Sequence, residues 1–177
     1  MLKKWLAYTC IIFMSSWSAF SLANDLKVKG TLVNAPCTIA PEDKNVEINF
    51  GDIRLLDIYE RGFEFSKKEL ILVISECDLS IAQKLKVKFI GTPHHQLAGF
   101  LSLDGSDTNP GLGIGFETID GKPVLLNENT DLILIEKNGR NELKFNTFLK
   151  ASQDAINNKS IKPGRFSAAA TFLIQYE

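Results

Sequence analysis

Histidine is the first side chain to consider for acid–base or metal chemistry near neutral pH. This chain has two, His94 and His95, which stand side by side after Pro93. The stretch has the composition of a turn, in which neighbouring side chains diverge. The pattern therefore predicts a solvated loop and favours neither a metal site nor a catalytic base.

Oxygen ligands of the kind that calcium prefers occur close together in one Gly-rich loop, at Asp104, Asp107 and Asn109. Their spacing is not that of an EF-hand, and no flanking helices are predicted around them. The sequence thus offers no support for a calcium site here.

Gly111, Gly113 and Gly115 resemble a nucleotide-binding loop only superficially. The last glycine of the GxGxxG pattern is replaced by Phe116, and no βαβ unit surrounds the stretch. We interpret these residues as glycines in a strand, where they permit a bulge or a close backbone approach. No serine or threonine has a visible base or elbow motif either. The sequence therefore predicts neither an enzyme nor a cofactor.

The first 23 residues predict a cleaved secretory signal. Lys3 and Lys4 precede an apolar stretch over 5–14, and Ser21 and Ala23 stand at the spacing that a signal peptidase reads. Serines interrupt the apolar run well before about 18 residues accumulate, which argues against a membrane anchor.

Cleavage after Ala23 decides how the cysteines are used, because it removes Cys10 and leaves Cys37 and Cys77. In an oxidising compartment we expect these two to form one disulfide. A cysteine-based metal or nucleophile site needs partners at short spacing, and the sequence has no CxxC. The mature chain keeps 18 of the 20 basic residues, having lost the two signal lysines, and all 21 acidic residues. This balance does not indicate nucleic acid or anionic lipid as a partner.

Composition and periodicity predict a single all-β domain. The 177 residues are 45% hydrophobic and 23% charged, which supplies enough apolar material for a core. Period-2 alternation over 46–50, 85–89 and 143–147 predicts strands that are solvated on one face. The run 70–74 is apolar on both faces, as in a strand buried inside a sandwich.

Turn signals separate these runs. Asp120 and Gly121 predict a two-residue hairpin, while 51–68 and 151–163 look like loops or a short helical turn. No internal repeat or interdomain linker is visible. Short strands at this spacing favour an immunoglobulin-like sandwich or a barrel.

The two ends of the mature chain raise a question of pairing. The final run, GRFSAAATFLIQYE, alternates cleanly and leaves only Glu177 after it, where an immunoglobulin-like domain normally has a further strand. We therefore expect a groove with an unpaired strand edge. The mature start alternates in the same way and predicts a free strand, with Leu26, Val28, Gly30 and Leu32 on one parity and Lys27, Lys29 and Thr31 on the other.

Together these features resemble the pilin subunits of the chaperone–usher pathway, over essentially the whole mature length. In the C-terminal pattern, Gly164 is fourteenth from the end and Tyr176 is penultimate. The other matching motifs are VKGTLVNAPCTI, ELILVISECD with the second half-cystine, KVKFIGT and GLGIGF. The resemblance implies an incomplete immunoglobulin-like β-sandwich that lacks its last strand and is completed by a donor strand. Such donor-strand complementation is a form of β-augmentation.

The resemblance also implies how the chain is divided. Residues 1–23 would be the signal peptide, 24–35 the donor-strand extension and 36–177 the pilin domain. Leu26, Val28, Gly30 and Leu32 would enter the groove of a neighbouring subunit. The acceptor groove and the chaperone contact would comprise one parity of the last strand and its flanks: Gly164, Phe166, Ala168, Ala170, Phe172, Ile174, Tyr176 and Glu177.

The implied function is that of a structural minor subunit of an adhesive pilus, contributing to cell adhesion. Its partners would be a periplasmic chaperone, an outer-membrane usher and neighbouring pilins, and it would reach the surface fimbrium through the periplasm without entering a membrane. Only six residues precede Gly30 after cleavage, as in the tip or adaptor subunits of P-type and type 1 pili. Two alternatives stay open: a pilus terminator or anchor subunit, and a stand-alone secreted sandwich that binds a carbohydrate or a receptor.

Overall fold

The computed structural model describes residues 34–61, 64–105 and 110–177. In this part of the chain, strands predominate. The strands are β1 (Glu64–Cys77), β2 (Lys84–Ile90), β3 (Leu101–Ser102), β4 (Leu112–Thr118), β5 (Pro123–Val124), β6 (Ile133–Leu134), β7 (Gly139–Ala151) and β8 (Thr171–Tyr176). The helical elements are short: a 3₁₀ turn at Pro41–Lys44, α1 (Leu55–Arg61) and α2 (Gln153–Asn157).

The strands form two antiparallel sheets. One sheet has the order β1-β7-β4-β3, with β5 paired to β4, and the other has the order β6-β2-β8. The predicted all-β sandwich is thus confirmed. None of the described helices is long and apolar enough to cross a membrane.

Side chains that alternate along the long strands build the core between the sheets. Leu72 and Ile74 of β1 are fully buried, as are Leu85 and Val87 of β2. Phe89 joins the two layers, because its ring stacks on that of Phe116 and meets the ring of Phe145 edge-on. The period-2 runs predicted over 70–74, 85–89 and 143–147 all lie in strands.

The disulfide between Cys37 and Cys77 is present, and it links residues 40 positions apart in the sequence. It lies beside a short β-bridge in which Thr38 and Ser75 exchange backbone hydrogen bonds of 2.8 Å each. The covalent link therefore fixes the start of the described chain against one end of β1.

Two of the sequence predictions need correction at the level of local structure. The hairpin at Asp120 has a three-residue loop rather than a two-residue one, since Thr118 N–H donates to the Lys122 carbonyl and Gly121 has a positive φ of 84°. The stretch 51–68 is not all loop or helical turn, because β1 begins at Glu64. A bulge near Ser66 hides this strand start from a period-2 reading.

His94 is also a correction, since it is buried rather than solvated. Its Nδ1 accepts hydrogen bonds from the backbone N–H groups of Gln96 and Leu97, both at 3.0 Å. The backbone N–H of His94 donates to the Phe100 carbonyl at 2.8 Å. Burial lowers the pKa of His94 below its ordinary value, and the neighbouring His95 adds to this effect. The imidazole therefore closes a loop and is not a site of chemistry.

The glycines of β4 explain why this loop can lie so close to the sheet. A Cβ on Gly115 would meet the Phe100 ring at 2.5 Å and the Phe148 ring at 2.6 Å, and a Cβ on Gly113 would meet His94 at 3.1 Å. The predicted role of these glycines in close backbone approach is therefore confirmed.

Candidate functional site

The site predicted from the sequence lies along the last strand, and β8 is indeed the outer strand of its sheet. It pairs only with β2 among the described residues, in an unbroken register from Leu85 opposite Tyr176 to Ile90 opposite Thr171. Its other edge therefore carries backbone groups that no described strand pairs with.

The hydrogen bonds around β2 reveal which backbone groups those are. Glu177 N–H donates to the Lys84 carbonyl at 2.8 Å, so odd-numbered residues of this segment point toward β2. On the other edge of β2, Val87 N–H donates to Thr130 Oγ1 at 2.9 Å, so this N–H points away from β8. The two hydrogen bonds therefore indicate the same alternation along the pair of strands. The N–H and C=O groups of Phe172, Ile174 and Tyr176 consequently point to the open edge.

Side chains along the C-terminal run follow the same alternation. The even-numbered side chains are only half-buried although they pack on the core, whereas the outward-facing Leu173 is 43% exposed. Half-burial of large apolar groups means that one side of each still faces a gap. The half-buried set is Phe166, Ala168, Phe172, Ile174 and Tyr176.

The segment 46–50, which the sequence predicted as a strand, meets the C-terminal run through Phe50 and Phe166, and we take it as the opposite wall of this gap. No strand forms there, although Ile48 and Phe50 pack inward on the core while Glu47 and Asn49 are exposed. The Phe50 ring lies 6.2 Å from that of Phe166, centroid to centroid. The segment thus keeps the alternation of a strand without a pairing partner. We refer to the gap between 46–50 and β8 as the groove.

The end of β8 is held in place by polar contacts. The side-chain carboxylate of Glu177 forms an ion pair with Lys86 of β2. Burial raises the pKa of Tyr176 above its ordinary value. The ion pair and the register with β2 hold the last residues of the chain in the β2–β8 ladder.

Other predicted site residues are placed less centrally. Gly164 and Ala170 are exposed, so neither contributes a packed wall in the described structure. The predicted donor strand lies outside the described residues, and with it Leu26, Val28, Gly30 and Leu32. The calcium-like loop is also outside them at Asp107 and Asn109. No cluster of three metal-ligating side chains occurs among the residues that are described.

A second depression lies elsewhere on the surface. It has a volume of about 690 Å³ and is lined by Ile119, by β6 and by the first residues of β7. These elements lie on the side of β2 away from β8. The depression is therefore separate from the groove.

Sequence reasoning missed the second wall of the groove. The alternation of 46–50 was visible, but it predicted an ordinary strand rather than one side of a gap. It also missed the ion pair between Lys86 and Glu177, because no local pattern links residues 91 positions apart.

The profile of the family described as "Fimbrial protein" matches residues 26–177. The chain belongs to this family. Its membership agrees with the resemblance to chaperone–usher pilins, which is confirmed, as is the incomplete immunoglobulin-like fold. The family consists of structural subunits of a surface fimbrium that associate with neighbouring pilins.

Individual relatives agree with this assignment. The chain is 27% identical to the uncharacterized fimbrial-like protein YfcP of Escherichia coli K12, over 94% of this chain and 90% of the relative. It is 25% identical to the fimbrial adapter PapK of Escherichia coli, over 94% and 95% of the two chains. Among solved structures, the P pilus rod subunit PapA has a TM-score of 0.69 at 25% identity, covering 81% of this chain and all of that one.

Proposed function

We propose that this fimbrial subunit polymerises by donor-strand exchange, its groove receiving the N-terminal extension of the next subunit. The observation that carries the proposal is the open edge of β8. Three consecutive even-numbered residues direct both their backbone groups and half-buried apolar side chains toward one gap. A strand laid there would satisfy the backbone and cover the apolar surface in one step.

The extension has the pattern that such a strand needs. Leu26, Val28 and Leu32 share one parity, and each would contribute up to about 1.5 to 3 kcal/mol if fully buried. Gly30 lies on the same parity and fits a point where a side chain would clash. The division into signal 1–23, extension 24–35 and pilin domain 36–177 belongs to this proposal.

A periplasmic chaperone would occupy the same groove before assembly and deliver the subunit to an outer-membrane usher. An uncovered groove of this kind invites aggregation, so the exported chain needs a temporary strand. The C-terminal carboxylate of Glu177, a residue whose backbone continues the β2–β8 ladder, is the anchoring point that we assign to the chaperone.

We further propose a minor position, as a tip or adaptor subunit of an adhesive pilus, where the subunit contributes to cell adhesion. The support is the short extension, with six residues before Gly30, and the similarity to a relative named as a fimbrial adapter. A terminator or anchor subunit is the alternative within the same class. The proposed role is structural throughout and requires no catalysis.

The test uses the oxidised domain that begins at Asn34, and so lacks its own extension, together with a synthetic peptide of residues 24–33. We expect the peptide to bind and to raise the melting temperature sharply, because it completes the sandwich. A stable, cooperative melt that ignores the peptide would overturn the proposal, since the sheet would then be closed without a donor.

Two substitutions at one position separate backbone pairing from side-chain burial. Ile174→Ala removes apolar contact, whereas Ile174→Pro also removes the N–H that points to the open edge. The Pro variant should lose far more peptide affinity than the Ala variant. Equal losses would mean that the peptide does not pair with β8.

A further inference from the structure

The outward faces of the two groove walls differ in charge. On β8 the outward residues Thr171, Leu173 and Gln175 are neutral. On the other wall, Asn49 is already engaged, since its Oδ1 accepts the Gly51 N–H at 2.8 Å. Glu47 is therefore the one charged side chain that the two strand-like walls, 46–50 and 171–176, present outward.

Glu47 is exposed and has no ion pair or side-chain hydrogen bond among the described residues. Other carboxylates close by are partly engaged: Asp43 lies 4.0 Å from Arg140, and Asp57 pairs with Arg54. An unpaired carboxylate at the rim is thus available to a strand that enters the groove.

The extension carries the opposite charge on its outward parity. When Leu26, Val28 and Leu32 face inward, the residues that face solvent include Lys27 and Lys29. Registers that keep the apolar side chains inward differ from one another by two residues. In each register that places 26–32 beside 46–50, Lys27 or Lys29 is therefore directly opposite Glu47 or diagonal to it.

We propose that Glu47 makes the groove selective for a basic donor strand, and that the extension of a second copy of this chain, through Lys27 and Lys29, fits it. This inference rests on the donor-strand exchange proposed above. It assigns to Glu47 the role of determining specificity. The donor strand that Glu47 favours is apolar on one face and cationic on the other.

The cations of the sheet next to β8 lie further away. Lys86 and Lys88 of β2 also face outward, but they are separated from a donor strand by β8. Two strand spacings amount to roughly 10 Å, against about 5 Å between a donor and the neighbouring wall. Since the Debye length is about 8 Å at physiological salt, the nearer Glu47 has the larger effect. Lys86 is in addition paired with Glu177.

The test measures the affinity of the domain from Asn34 onward, which lacks its own extension, for three peptides of residues 24–33: the natural sequence, one with Lys27→Ser and Lys29→Ser, and one with Lys27→Glu and Lys29→Glu. We expect the natural peptide to bind about two- to fivefold more tightly than the neutral one, and the acidic peptide to bind weakest. In the Glu47→Lys variant the order should reverse. Raising the salt to 1 M should remove most of the difference.

Glu128→Lys is the matched control, because it makes the same charge change at an exposed residue on the segment beyond the other edge of β2. This variant should keep the wild-type order of peptides. Equal binding of all three peptides to wild type and to Glu47→Lys would overturn the charge selectivity while leaving donor-strand exchange intact. If none of the peptides binds, donor-strand exchange itself fails and the selectivity falls with it.

Discussion

The two sheets each end in an outer strand, and the contrast between β1 and β8 shows how the fold separates a protected edge from an open one. Beyond the bridge at Thr38, the outer edge of β1 pairs with no described strand, much like that of β8. Yet β1 is broken by two bulges and carries Lys67, Lys68 and Glu69. The edge of β8 has no bulge, and its outward residues are neutral.

Natural sheets discourage pairing at free edges with bulges and charged side chains. By that rule β1 is protected, since Ser66 and Glu76 at its bulges both have positive φ and twist the edge away from a straight ladder. The regular and neutral β8 lacks these devices. The difference supports the proposal that β8 accepts a donor strand, whereas the edge of β1 discourages pairing.

The largest effect is expected from the disulfide, which fixes the only strand-like cover of the β1 edge that the described residues contain. The double variant Cys37→Ser, Cys77→Ser should lose about 4 kcal/mol of unfolding free energy, because a loop of 40 residues is no longer closed in the unfolded chain. Urea denaturation measures the loss. Reduction of the wild type should reproduce it, and a loss below about 1 kcal/mol would contradict this account.

The two faces of β8 should respond very differently to truncation. Phe172 is half-buried opposite Phe89, so Phe172→Ala should cost roughly 1 to 3 kcal/mol, less than a fully buried phenylalanine would. Leu173→Ala on the outward face should change stability by less than about 0.5 kcal/mol. Equilibrium unfolding of both variants checks this, and equal losses would break the assigned parity.

The loop that contains His94 covers the edge of the sheet near β3, and its contribution to stability should depend on pH. Because the folded-state pKa of His94 is lowered, the unfolded chain binds its proton more readily. Stability should therefore be fully present above the unfolded pKa of about 6.5 and should fall as the pH is lowered through that value. Melting temperatures between pH 7.5 and 5 test this. His94→Gln should flatten that part of the profile, and an unchanged profile would argue against the loop-closing role.

The smallest effect on stability is expected at the protected edge. Lys68 is exposed on β1, so Lys68→Val should alter the free energy of unfolding by less than about 0.5 kcal/mol. It should nevertheless increase self-association at high protein concentration, because the edge loses one of the charged side chains that discourage strand pairing. Light scattering measures this. Lys144→Val, at an exposed lysine of the inner strand β7, is the control and should not increase self-association.

Local alternation was enough to predict much of the fold. The runs 85–89 and 143–147 alternate between apolar and polar residues, the run 70–74 is continuously apolar, and all three form strands. The alternation of the last run was likewise readable, but the choice of its inward parity came only from the resemblance to pilins. The structure places Phe172, Ile174 and Tyr176 half-buried against the core.

What the sequence could not predict depends on distant contacts. His94 is buried because β4 presents Gly113 beneath it, and this glycine is 19 positions away in the chain. The run 46–50 alternates like a strand but forms none, since a ladder needs a partner that the described residues do not supply. A hairpin loop of three residues instead of two depends on the conformation of Gly121 alone.

Amide hydrogen exchange across β8 tests the central claim most directly. Without a donor, the amides of Leu173 and Gln175 should be protected by β2, whereas those of Phe172, Ile174 and Tyr176 should exchange quickly. Adding the peptide of residues 24–33 should protect all five. If the three even-numbered amides stay unprotected with the peptide bound, or are already protected without it, the open edge of β8 is not where a donor strand pairs.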